Sequence, residues 1–155
     1  MARVLALIPD LLFGSRVQAS LAAAGHRVEL AASGDSVQER LVEASASSSP
    51  VAGDGAPGRA HSAPAPGEGE SVPADGLPAV LVVDLTSPDL DGARLVRRLA
   101  AEGLLGHTRT VGFYAHVDGE ARERARRAGF DVVVPRSRMA REAVALVEQL
   151  LSSPA

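Results

Sequence analysis

The sequence predicts an α/β fold, a doubly wound parallel sheet of five strands in the order 2-1-3-4-5. Three observations predict it. Short apolar runs alternate with segments of helical periodicity along the whole chain, the rhythm of a parallel sheet covered by helices. The run Ala79-Val80-Leu81-Val82-Val83 is apolar at every position, as a strand buried on both faces must be. It stops at Asp84, and the carboxyl ends of such strands are where open α/β sheets hold their ligands. Five strands with this rhythm fit the flavodoxin-like arrangement.

Val4 to Ile8 is the first strand, ended by Pro9 and Asp10. From Leu11 to Ala24 the apolar residues Leu12, Val17, Leu21 and Ala24 recur at near-helical spacing, with Ser15, Arg16, Gln18 and Ser20 between them. Gly25 is a good stop for that helix. Arg27 to Ala31 is the second strand. A second helix follows from Ser36 to Ala44, with Val37, Leu41 and Val42 inward and Asp35 or Ser36 as its cap. After the third strand, Asp91-Gly92 opens a helix to Ala101 with Leu95, Val96 and Leu99 inward. Arg109 to Tyr114 is the fourth strand. Asp118 to Ala128 is a helix rich in Glu and Arg, closed by Gly129. Asp131 to Val134 is the fifth strand, and Ser137 caps a last helix carrying Met139, Val144, Leu146, Val147, Leu150 and Leu151.

The stretch 45–76 breaks this rhythm. It is nearly all Ser, Ala, Gly and Pro and holds half of the prolines. A composition with so little apolar surface does not offset its ordering entropy, so a disordered insertion is expected there within a single domain spanning 1–155. Its length is tolerable because loop closure costs grow only logarithmically.

Bulk properties narrow the function. The chain of 155 residues is long enough for one core. It has no cysteine, which excludes disulfides and zinc-thiolate sites. The net charge of −3 points to no strongly charged partner. No apolar run approaches a membrane span, and the start lacks the layout of a secretory signal, so a cytoplasmic location is expected.

The stretch Asp84-Leu85-Thr86-Ser87-Pro88-Asp89-Leu90-Asp91-Gly92 resembles the phospho-acceptor segment of response-regulator receiver (CheY-like) domains. The likeness extends to Leu21-Ala22-Ala23-Ala24-Gly25-His26-Arg27-Val28, to Ala32-Ser33-Gly34 and to Ala128-Gly129-Phe130-Asp131. Asp84, Tyr114 and Arg136 are separated by thirty and twenty-two residues, spacings similar to the family's acceptor, switch hydroxyl and lysine. The resemblance implies a two-component signalling module, with Asp84 at the acceptor position and Asp10, Thr86, Tyr114 and Arg136 around it.

The identities depart from the family's chemistry. Where receivers carry an acidic pair at the end of strand one, this chain has Ile8 and Pro9, with Asp10 one place further on. Asp10 serves either as a helix cap or as a second carboxylate beside Asp84 for Mg²⁺, which prefers several hard oxygen ligands. Tyr114 replaces the small hydroxyl and either covers Asp84 or swings outward. Val133 stands at the aromatic switch position. Arg136 replaces the lysine and offers Asp84 a forked partner. The pattern resembles atypical, or pseudo-, receivers. The expected function is therefore a bacterial interaction module that is not an enzyme, needs no cofactor and is not phosphorylated. A phosphorylatable receiver using Asp84 and Mg²⁺ is the alternative; a small flavodoxin-like enzyme or nucleotide binder is a third.

Other chemistries find little support. His26, His61, His107 and His116 show no ligand spacing. The turn after the first strand is neither a dinucleotide fingerprint nor a P-loop. Arg122, Arg126, Arg138 and Arg141 cluster in the last two helices, but interleaved Glu120, Glu123 and Glu142 argue against nucleic acid. By the resemblance, the face formed by helix four, strand five and helix five is the expected surface for a protein partner or self-association.

Overall fold

The computed structural model describes residues 2–48, 77–87, 90–115 and 119–152. The elements run β1 (Arg3–Leu7), α1 (Leu11–Ala23), β2 (Arg27–Ala31), α2 (Gly34–Ser48), β3 (Val80–Asp84), α3 (Gly92–Ala101), β4 (Arg109–Tyr114), α4 (Gly119–Ala128), β5 (Val132–Pro135) and α5 (Arg136–Ser152). The five strands form one parallel sheet in the order β2-β1-β3-β4-β5. Class, strand order and element order match the expectation.

Burial explains the order. All five residues of β3 are buried, so the most continuous apolar run takes the centre. β2 and β5 are only partly buried and take the edges. Strand alternation divides the core in two. Val4, Ala6, Val80, Val82, Val111, Phe113 and Val134 pack under α1 and α5. Leu5, Leu7, Leu81, Val83 and Phe130 pack with α2, α3 and α4 on the other face.

Helices α1 and α4 end by the same device. Gly25 and Gly129 have φ of +93° and +99°, which glycine adopts without a Cβ penalty. The N–H after each glycine then reaches back: His26 donates to the Leu21 carbonyl at 3.0 Å, and Phe130 to that of Ala125 at 3.3 Å. Both glycines thus turn the chain directly into the next strand.

Several boundaries and faces differ from expectation. α2 starts at Gly34 under a Ser33 cap, whose Oγ accepts from Ser36 N–H at 3.2 Å, and not under Asp35 or Ser36. It continues through Ser48, into the stretch expected to be disordered; the remainder of that stretch, 49–76, lies outside the described residues. Val42 is 48% exposed, because Val37, Leu41 and Ala44 already fill the inner side. Leu12 is also exposed, since the buried row of α1 is Phe13, Val17 and Leu21, spaced four apart. Ser137 caps nothing: α5 starts directly at Arg136 and bends at Glu142, where φ is −123° and ψ 21°. The expectations for His61, Pro88, His116 and Asp118 fall outside the described residues. Among the described residues, no helix is long and apolar enough to cross a membrane.

Candidate functional site

Asp84 closes β3 and is 2% exposed. The strand register sets it beside Phe113 of β4, and the next residue continues the ladder, Leu85 N–H donating to the Phe113 carbonyl at 2.9 Å. The chain then folds over the carboxylate. Asp84 Oδ1 accepts from Thr86 N–H at 2.7 Å and from Thr86 Oγ1–H at 2.6 Å. A short polar side chain bonding two residues ahead is the usual behaviour of aspartate at a turn. Here it means that one carboxylate oxygen is doubly occupied by its own loop.

Asp10 is not turned toward Asp84. It is the N-cap of α1, its Oδ1 accepting from Leu12 N–H at 3.0 Å and Phe13 N–H at 3.1 Å. Its Oδ2 accepts from Arg136 Nη2 at 2.8 Å. The Phe13 N–H first, and then the Arg136 guanidinium, hold the Asp10 carboxyl below the usual aspartate range. Both roles left open for Asp10 are thereby decided for capping.

Arg136 makes two contacts at once. Besides the Asp10 pair, its guanidinium carbon lies 4.4 Å from the centroid of the Phe13 ring. Phe13 in turn meets Phe113 at 5.0 Å between centroids and 48° between planes. The expected Arg136–Asp84 fork is therefore replaced by an Arg136–Asp10 pair set on an aromatic stack. Ten residues from the start and at the head of α5, these two groups meet because β1 and β5 end on the same side of the sheet.

The remaining expected site residues lie apart. Ile8 is 2% exposed and belongs to the core under α1, while Pro9 is exposed. Tyr114 is buried, at 8% exposure, so it does not swing into solvent; alternation puts it on the opposite face from Phe113. Arg122, Arg126, Arg138 and Arg141 are all exposed, and Arg138 pairs with Glu142 at 3.2 Å. On α4 the inward residues are Ala125 and Ala128, which leaves the arginines to solvent.

Two functional-site residues were missed in the sequence. Phe13 and Phe113 form the floor of the Arg136 pair. The signal was available for Phe13 in its spacing with Val17 and Leu21, and for Phe113 in the alternation of β4. A third, Arg124, lines a hollow of about 290 Å³ with Thr86, Ser87 and Asp91. The arginine bordering the Thr86 loop there comes from α4.

A Mg²⁺ ion does not fit this donor set. Its preference is for near-octahedral oxygen ligands. Asp84 Oδ1 already receives two donors, Asp10 is held by a helix end and Arg136, and the preceding positions are Ile8 and Pro9. Among the described residues, no three His, Asp or Glu side chains converge.

Solved structures match this architecture over nearly its full length. A Francisella response-regulator receiver domain aligns with a TM-score of 0.66 at 16% identity, covering 97% of this chain and 96% of that one. The fold is that of a response-regulator receiver domain. A putative response regulator from Chloroflexus aurantiacus aligns with a TM-score of 0.70 at 19% identity, covering 98% of each chain. The phosphorylated cyanobacterial phytochrome response regulator RcpA aligns at 0.68 and 14% identity, covering 99% of this chain and 96% of that one. No family model and no curated protein sequence matches the chain. In this fold Asp84 and Tyr114 close β3 and β4, and Asp10 stands three residues past the end of β1, as the cap of α1.

Proposed function

We propose that this chain is a receiver-fold signalling module of the atypical, or pseudo-receiver, type. It acts through protein contacts, without phosphoryl transfer at Asp84 and without enzymatic activity of its own. One observation carries this reading: Asp84 Oδ1 and Arg136 are each engaged within the chain, and by different partners. Thr86 donates twice to Asp84 Oδ1, and Arg136 is held by Asp10 and the face of Phe13. Ile8 and Pro9 supply no carboxylate for a metal.

The partner surface in this reading is the face of α4, β5 and α5, bearing Arg122, Arg126, Arg138 and Arg141. Their exposure supports it. Arg122 and Arg126 lie one turn apart on α4 and extend from the same side of the helix. A protein partner in two-component signalling is the occupant we favour, with self-association as the other outcome.

The test is an amide NMR titration of the full chain with Mg²⁺ and beryllofluoride, an acyl-phosphate mimic. The expected result is no saturable shift at Thr86, Gly92, Tyr114 or Arg136. Saturable shifts that disappear in Asp84→Asn would overturn the proposal and establish a phosphorylatable receiver. A thermal-shift panel of nucleotides and flavins covers the enzymatic alternative. A ligand at 100 times its dissociation constant adds about 2.7 kcal/mol, a readily visible change.

A further inference from the structure

Among the described residues, His26 is the only side chain with buried polar atoms lacking a hydrogen-bond partner, and both Nδ1 and Nε2 are in that condition. The side chain is 8% exposed. The turn that ends α1 puts it there, through the positive φ of Gly25 and the His26 N–H bond to Leu21. A neutral imidazole carries one donor and one acceptor, and burying both unmet is unfavourable.

A carboxylate stands beside the ring on a different element. Glu148 Oε1 of α5 lies 3.6 Å from His26 Nε2, outside hydrogen-bond reach and within ion-pair range. The Glu148 side chain is 57% exposed and stays hydrated. From β2, Arg27 lines the hollow next to His26. From α1 come Ser15, Gln18, Ala19 and Ala22, none of which ionises.

We propose that His26 and Glu148 form a proton-operated latch that fastens the C-terminal half of α5 to the turn between α1 and β2. With the ring neutral, the carboxylate gains little by leaving water. With the ring protonated, both nitrogens carry N–H groups, and a small rotation of Glu148 closes the gap to a charge-assisted hydrogen bond. The proton comes from solvent and returns to it; no covalent bond changes. The latch closes as the pH falls and opens as it rises.

The placement gives the latch a reach beyond its own contact. α5 bends at Glu142. Glu148 lies after the bend, and Arg138 and Arg141 lie before it. Proton concentration therefore acts on the anchored half of the helix whose other half carries the exposed arginines. This inference stands independently of whether Asp84 is ever phosphorylated.

The test is a pH titration of the full chain by NMR from pH 5.5 to 8.5, following the His26 ring and the amides of 145–150. That window lies above the ordinary carboxylate range. In the native chain, the α5 amides are expected to shift with the same midpoint as the His26 ring. In Glu148→Gln, an exposed substitution, the pH-dependent α5 shifts shrink several-fold. His107 lines a hollow with Leu150 and Leu151 at the end of α5, so the titration is repeated in His107→Gln to remove its influence on those amides. Alpha-5 amides that stay still in the native chain, or that follow the ring equally in Glu148→Gln, would overturn the proposal.

Discussion

Thr86→Val removes one hydroxyl from the loop after β3 and keeps a branched side chain of similar shape. In the native protein, Thr86 Oγ1 donates to Asp84 Oδ1 at 2.6 Å, and Thr86 N–H donates to the same oxygen at 2.7 Å. Valine keeps only the second bond. A hydrogen bond contributes about 1 kcal/mol net, and about 1.5–3 kcal/mol when one partner is charged. Asp84 is 2% exposed, which limits replacement by water, but Thr86 is only partly buried, which admits some. The expected loss is therefore about 1–2 kcal/mol. With a urea slope of about 2 kcal/mol per molar, the unfolding midpoint should fall by roughly 0.5–1 M. A double-mutant cycle with Asp84→Ala isolates the contact, because in that background the hydroxyl has lost its acceptor and its removal should cost little. Asp84→Asn keeps an acceptor at Oδ1 and should preserve most of the coupling. A cost below about 0.3 kcal/mol, or the same cost in the native and Asp84→Ala backgrounds, would refute the reasoning, because additivity within that margin marks independent sites. The loop would then not be holding Asp84, and Oδ1 would be open to a ligand.

Two further predictions follow from contacts around the same end of the sheet. Asp10→Asn keeps a good helix cap and removes the charge facing Arg136. Since the folded protein holds the Asp10 carboxyl below its ordinary range, that charge stabilises the fold at neutral pH and ceases to do so as acid protonates it. Urea midpoints of the native chain and Asp10→Asn should differ from pH 7 down to about pH 4 and converge below it; curves that stay parallel to pH 3 would contradict the pairing. Gly92→Ala tests the close approach of α3 to β3. An added Cβ would sit 2.5 Å from Val83 Cγ1 and 2.9 Å from Leu85 Cδ2. Val83 is fully buried and has little room to yield, so overpacking should cost about 1–3 kcal/mol and lower the melting temperature; an unchanged melting temperature would show that α3 is free to shift.

The fold was legible because its strongest signals are local. An unbroken apolar run gave away β3 as the central strand, and Gly25 and Gly129 marked helix ends whose positive φ the backbone requires. Asp84 was legible as a strand-end carboxylate for the same reason. Its partners were less so. Arg136 is long enough to reach either Asp84 or Asp10, and the choice depends on the Phe13 ring that supports its guanidinium, a contact spanning more than 120 positions. The end of α2 was missed because Ser45, Ala46, Ser47 and Ser48 carry no apolar stripe, although Ala44 just before them is buried. His26 looked like a scattered histidine, since only the fold brings Glu148 from the far end of the chain to its side.

α5 meets α1 and the turn that follows it at two places. At its head, Arg136 is tied to Asp10 and Phe13, both at the start of α1. Near its other end, Glu148 stands over His26, just past the end of α1. Between these points Met139, Ala143, Leu146 and Val147 bury the helix in the core that α1 shares. The one irregular residue, Glu142, separates the two attachments and is itself held by Arg138. A displacement of α5 as a rigid rod would break the Arg136 contacts at its head and shift Glu148 relative to His26. The bend at Glu142 sets Arg138 and Arg141 on one side and Glu148 on the other, so the half of α5 that bears the exposed arginines is tied to α1 separately from the half beside His26.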